Sequence, residues 1–266
     1  MPRTRPPAVA GRFYPGDPVE LELAVREYLV GGAGPLNPPK AVIVPHAGYP
    51  YSGPVAGSGY RQVEALHGSV TRVVLVGPAH YVAVKGLVTS AADFFETPLG
   101  RIPLDRDAID DLLALPQVTV DDDAHRPEHS LEVQLPFLQV TLGEFQLVPL
   151  LVGSTTPEAV AEVLTCVWGG PETLIVVSSD LSHFHDWETA TWLDRQTAES
   201  IVQGRVADLA GERACGYLPI GGLLTAARAA GLTPTTLDVR NSGDTAGPKD
   251  RVVGYGAFAL TVDGEP

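Results

Sequence analysis

Cysteine is scarce in this chain. Its 266 residues hold two, Cys166 and Cys215, in no CxxC or zinc-ribbon spacing. That excludes a disulfide framework and a structural zinc site, and it fits a reducing compartment. Positive charge is short as well: 18 Lys and Arg stand against 32 Asp and Glu, for a formal net charge of -14. With no spare cationic face to neutralise phosphates, nucleic acid is not an expected partner. No apolar run approaches the roughly 20 residues needed to cross a bilayer, and the opening MPRTRPPAVAGRFYPGD has no signal-peptide core. The expectation is a cytoplasmic protein with no membrane partner. Internal repeats and dividing linkers are also missing, so one domain over residues 1–266 is expected.

What is present is an ordinary globular composition, 44% hydrophobic and 19% charged, arranged as strands alternating with helices. Asp17-Pro18 opens a helix as N-cap and first helical residue. Ala41 to Val44 reads as a buried strand that Pro45 ends, because proline cannot donate to a sheet ladder. A helix is expected from near Pro54, with Ala56, Gly57, Ser58 and Gly59 permitting close approach of another backbone. Val73 to Val76 forms a second strand, GLVTSAADFFETPLG a further one, and RDAIDDLLAL a short acidic helix. EHSLEVQLPFL reads as a helix that Pro136 kinks or cuts short. FQLVPLLVG, TLIVVSS and RVVGYGAFALTV supply more strands; PEAVAEVLTCVW, WETATWLDRQTAESIVQG and GGLLTAARAAG supply more helices. This alternation predicts an α/β fold, a single-domain α/β/α sandwich around a mainly parallel central sheet.

Three histidines follow three strand ends: His46 in PHAGYPYSG, His80 in GPAH, and His183 in SSDLSH. In an open α/β sheet, ligands bind in the crevice outside the carboxyl ends of the strands, which favours a functional reading of these positions. Imidazole suits iron, copper or zinc. Each histidine taken alone also reads as a satisfied, partly buried side chain. Asp180 stands three residues before His183, so it orients that ring as a general base, lines a metal pocket, or caps the next helix. His125, Glu128 and His129 give H-x-x-E-H, but Pro127 interrupts the unbroken helix that an inverted zincin motif requires. His129 and Glu128 remain candidates to point into the site from a helix start, whereas His125 reads as a solvated loop residue. Tyr49 and Tyr51, beside His46, are placed to close over a ligand. Near the C-terminus, Asp244 in the turn Asn241 to Thr245 offers the carboxylate of a two-His-one-carboxylate metal face, or simply a capped turn. Cys215 reads as a small buried hydrophobe rather than a nucleophile. His67 and His185 have no context that singles them out.

Taken in order, AGRFYPGD, PHAGYPYSG, GPAH, FETPLG, EHSLEVQLPFL, SSDLSHF, CGYLPIGGLL and NSGD…VVGYGAFAL resemble the Memo family, including its members called AmmeMemoRadiSam system protein B. That family is similar in fold to class III extradiol dioxygenases, which cleave catechol rings at non-haem iron(II). The resemblance implies that His46 and His80 are metal ligands and that His129, Asp180 and His183 line the same pocket. In animal members a cysteine of the C-terminal turn is implicated as a further ligand. The corresponding SGDTAG has none: Thr245 is the aligned position and Asp244 the substitute, a change that favours iron over copper.

The expectation is therefore a metal-dependent oxidoreductase with a divalent ion, Fe(II) first and copper or zinc next. His46, His80 and Asp244 hold the metal. His183, Asp180 and His129 do acid, base and oxyanion work, and Tyr49, Tyr51 and Glu128 contact a small molecule or peptide. The family name further implies a pathway shared with a radical-SAM protein. Two alternatives stand beside it. One is a binding module that uses the pocket without chemistry. The other is a hydrolase built on Ser178, Asp180 and His183.

Overall fold

Four strands composed almost wholly of apolar residues form the centre of the computed structural model, which describes residues 2–32 and 38–262. In chain order the strands are β1 (Thr4–Arg5), β2 (Ala41–Val44), β3 (Arg72–Pro78), β4 (Leu87–Thr89), β5 (Phe94–Thr97), β6 (Gly100–Pro103), β7 (Val118–Val120), β8 (Gln146–Val152), β9 (Thr173–Ser178), β10 (His183–His185), β11 (Leu232–Asn241) and β12 (Val252–Val262). The α-helices are α1 (Pro18–Val30), α2 (Tyr49–Val63), α3 (Arg106–Leu112), α4 (Asp122–His125), α5 (Leu135–Leu142), α6 (Pro157–Cys166), α7 (Trp187–Val202), α8 (Tyr217–Ala229) and α9 (Ser242–Thr245).

The central strands run β2-β9-β3-β8, all parallel and buried on both faces, as continuous Val/Ile/Leu runs dictate. The flanking pairs β12 on β2, β11 and β10 on β12, and β4 on β8 are antiparallel, while β7 joins β4 in parallel at the edge. Helices α1, α2 and α5 pack together over one part of the sheet, and α6 with α8 over another, giving the α/β/α sandwich. A small second sheet joins β1, β5 and β6. The main cluster of buried apolar side chains extends from Val9 to Leu260. Among the described residues, no helix is long and apolar enough to cross a membrane.

Several local expectations are met in detail. Asp17 caps α1 by accepting from the Val19 and Glu20 amides, with Pro18 in the first turn. The small residues of α2 bring α1 close, since a Cβ on Gly57 would lie 2.3 Å from the Tyr28 carbonyl oxygen.

Other expectations are corrected. α2 starts at Tyr49 rather than Pro54, because Ser52 N–H already bonds the Gly48 carbonyl and Ser52 Oγ the Ala47 carbonyl. Pro136 neither kinks nor ends its helix: it sits in the first turn of α5, where no amide hydrogen is needed. GLVTSAADFFETPLG is two strands, β4 and β5, which join different sheets. His125 is not solvated. It is 2% exposed, and its Nε2 lies 3.1 Å from the Val88 carbonyl.

Candidate metal centre

Register brings the loops of the site together. Val44 pairs with Ser178 across β2 and β9, and Val76 with Val177 across β3 and β9. The chain therefore leaves all three strands at one end of the sheet, carrying His46, His80 and Asp180 with it. Asp180 Oδ1 accepts from the His46 amide at 2.7 Å, tying two of these loops directly.

The imidazoles converge. Ring centroids are 5.1 Å apart for His46 and His80, 5.5 Å for His46 and His129, and 4.8 Å for His80 and His129. His46 is buried, with Nδ1 against Ser178 Oγ at 2.9 Å and Nε2 3.3 Å from Cys215 Sγ. Burial first, then the neighbouring His80, His129 and His183, push its pKa well below the ordinary histidine value. His80 forms the solvent side of the cluster, its side chain 28% exposed.

Glu128 lies behind His80 rather than in the pocket. Its Oε2 accepts from the His80 amide at 2.5 Å, and its Oε1 faces His80 Nδ1 at 2.9 Å and the His129 and Ser130 amides at 3.0 Å. Burial alone would raise its pKa, but the bonds from His80 and Ser130 outweigh burial and hold the carboxyl down at about 2. The ionised carboxylate only accepts, so His80 Nδ1 donates and Nε2 is the ring nitrogen left to face a ligand. This carboxylate–imidazole pairing is the usual support of a metal-bound histidine. The oxygens expected to meet substrate are thus already engaged.

Behind Glu128 stands a buried anchor. Glu132 accepts from Arg5 Nη1, the Ala8 and Val9 amides and Tyr14 Oη, all within 2.9 Å. Arg5 Nε and Nη2 donate to the carbonyls of His125 and Glu128, so the N-terminal segment pins the loop that carries His129.

The remaining candidates divide. His129 is packed against Phe13 at 4.8 Å, and among the described residues its Nδ1 finds no hydrogen-bond partner. Burial, resisted by Glu128, lowers its pKa to about 4, so the ring is neutral. Asp180 is raised to about 7 by burial, against the His46 amide bond, and it serves His46 rather than His183. His183 is half-buried at the start of β10, its pKa lowered by burial. Tyr49 is core: it is 2% exposed and its hydroxyl donates to the Val133 carbonyl. Tyr51 is at the surface. Ser178 Oγ donates to the Ser130 carbonyl at 2.6 Å, so it is not poised as a nucleophile.

Asp244 is not brought to the histidines. Its Oδ1 accepts from Trp187 Nε1 at 2.6 Å and its Oδ2 from the Asn241 amide at 3.0 Å, completing the capping box of α9. The capped-turn alternative describes it. Thr245 Oγ1 likewise turns back to the Ser242 carbonyl.

Sequence reasoning missed Cys215. It precedes α8, and candidate ligand atoms of His46, His80 and Cys215 all lie within 4.8 Å of one another. Donors sharing one tetrahedral ion sit about 3.5 Å apart, given metal–nitrogen and metal–sulfur lengths of about 2.0 and 2.3 Å, so the 3.3 Å separation of Cys215 Sγ and His46 Nε2 suits a common ion. Burial and Asp180 push the free thiol up to about 12. The sequence signal was the string CGYLPIGGLL that this cysteine opens; in the structure a Cβ on Gly216 would meet Ser179 Cβ at 2.6 Å, so a glycine is needed to seat the cysteine against the SSD loop. A second group, His80, Glu128 and His129, also clusters, but Glu128 is filled by the donors described above.

The Memo-like protein family matches residues 5–259. The chain belongs to the Memo family. It is 36% identical to a MEMO1 family protein of Aquifex aeolicus, over 95% of this chain and 97% of that one. With the MEMO1 family protein of Sulfolobus acidocaldarius it shares 34% identity over 94% and 97% of the two chains. A Methanosarcina barkeri member is 35% identical over 96% and 99%.

Proposed function

We propose that this Memo family chain binds one divalent metal ion through His46, His80 and Cys215, and that it is an oxidoreductase acting on a small oxidisable molecule at the carboxyl ends of the sheet strands. The convergence of two imidazoles and one thiol, with ligand atoms within 4.8 Å of one another, supports this most directly. The donor set is softer than the one expected with Asp244, so the argument from a carboxylate for iron falls away, and iron, copper and zinc all suit it. A redox-active ion held there supplies electron transfer and oxygen chemistry to a bound substrate.

The chain's own groups have separable tasks. Glu128 fixes the His80 ring. His129, neutral at pH 7, contacts a developing oxyanion through hydrogen bonding rather than charge. Asp180, raised to about 7, holds or releases a proton beside His46 near neutrality. His183, half-buried at the start of β10, is the remaining acid or base. The hydrolase alternative gains nothing from Ser178, whose proton is already given to Ser130.

The test is elemental analysis after anaerobic purification, with wild type beside the His46→Ala/His80→Ala double variant, followed by oxygen uptake with catechols. Stoichiometric iron or copper that is absent from the variant, together with oxygen consumption, is the expected result. Wild type that binds no added metal would turn the reading to a binding module.

A further inference from the structure

The hydrogen bonds behind His46 end on groups whose roles are fixed. Gln134 Nε2 lies 2.9 Å from the Pro45 carbonyl and 2.8 Å from Ser178 Oγ. A carbonyl only accepts, so the amide nitrogen must face both, which leaves Gln134 Oε1 to accept from Tyr60 Oη at 3.0 Å. Ser178 Oγ also lies 2.6 Å from the Ser130 carbonyl. The hydroxyl has a single hydrogen, and the carbonyl claims it. Having given its proton to Ser130 and accepted one from Gln134, Ser178 Oγ meets His46 Nδ1 at 2.9 Å with a lone pair. That contact is a hydrogen bond only when Nδ1 carries hydrogen.

We propose that Gln134 and Ser178 are positioning residues that lock His46 as its Nδ1–H tautomer, so that the Nε2 lone pair points at Cys215 and the shared ligand position. Tyr60, Ser130, Gln134 and Ser178 are each at most 1% exposed, so water does not compete for these bonds. The device parallels the one on His80. There a carboxylate takes the Nδ1 hydrogen; here a hydroxyl does, because the amide and the carbonyl have stripped that hydroxyl of every role except acceptor. The choice matters for burial as well as for binding. A carboxylate behind His46 would sit at the fully buried end of the cluster, where an extra charge is costly, whereas Glu128 is balanced by four N–H donors. The tautomer follows from hydrogen bonding alone; its consequence for metal affinity rests on the metal reading above.

The experiment is two-bond 15N–1H correlation NMR on the uniformly labelled, metal-free chain, with the His46 signals assigned by their loss in His46→Gln. Cobalt(II) titration of wild type and Ser178→Ala accompanies it. The expected result is a protonated Nδ1 in wild-type His46, a mixed or Nε2–H ring in Ser178→Ala, and cobalt affinity lowered about 10- to 100-fold in that variant, the usual loss when an outer partner of a metal ligand is removed. A wild-type ring protonated on Nε2 overturns the proposal, as does unchanged cobalt affinity in folded Ser178→Ala. Should that variant fail to fold, the wild-type tautomer decides alone. If wild type takes up no cobalt while Nδ1 is protonated, the metal reading fails and the tautomer lock stands.

Discussion

At the scale of single residues, burial is the first cause of the lowered histidine pKa values, and His125 shows the effect away from the metal ligands. Its burial, reinforced by the Arg5 charge, lowers the pKa from 6.5 to about 4. Between those values the unfolded chain binds a proton that the folded chain refuses. Stability therefore rises with pH across that window and is lost as pH falls from 6.5 towards 4, by up to about 3 kcal/mol for a shift of this size. Replacing His125 with Gln removes the titration. Urea midpoints measured from pH 4.5 to 6.5 should climb more steeply for wild type than for His125→Gln. Equal slopes would show that the ring is not neutral in the folded state. Asp180 opposes this trend, since its raised pKa makes stability fall as pH climbs from about 4 to 7, but it does so in both proteins and cancels in the comparison.

Among the elements, the contact between α1 and α2 is set by glycine. A methyl on Gly57 would lie 2.3 Å from the Tyr28 carbonyl oxygen and 2.7 Å from its carbon, and backbone has no rotamer by which to yield. Gly57→Ala should therefore cost about 1–3 kcal/mol through overpacking, which exceeds the gain of up to about 1 kcal/mol from helix propensity. A urea denaturation midpoint at or above wild type would contradict this. The same comparison marks what a sequence can disclose. The α1 cap was readable from Asp17-Pro18 and the central strands from unbroken apolar runs, because both are decided within a few neighbours. The division of Leu87 to Thr97 between two sheets was not readable, since the sheet a strand joins depends on partners such as β8 and β1 far along the chain. Cys215 is 169 residues from His46, and only the packing of α8 against the β9 end makes them neighbours. Asp244 had the right chemistry for a ligand, but the local capping box claimed one of its oxygens and Trp187 of α7 the other.

For the whole molecule, the formal charge of -14 attracts any cation weakly, so thermal stabilisation by a metal must be separated from surface screening. Magnesium provides that separation, because it prefers oxygen ligands and has little affinity for two imidazoles and a thiol. An ion that binds only the folded chain stabilises it by RT ln(1 + [L]/Kd), about 2.7 kcal/mol when free metal is 100 times Kd. For a chain of this size that amounts to a rise in Tm of roughly 5–10 °C. Cobalt(II) should produce such a rise in wild type, a chelator should abolish it, and the His46→Ala/His80→Ala variant should show none. Cys215→Ser should fall between the two, since an alcohol oxygen replaces the thiolate as third donor while both imidazoles remain. Magnesium at equal ionic strength should move Tm by a degree or so in every variant alike. Were magnesium to match cobalt, the acidic surface rather than the cluster at the strand ends would be binding the ion, and Cys215 would lose its place among the ligands.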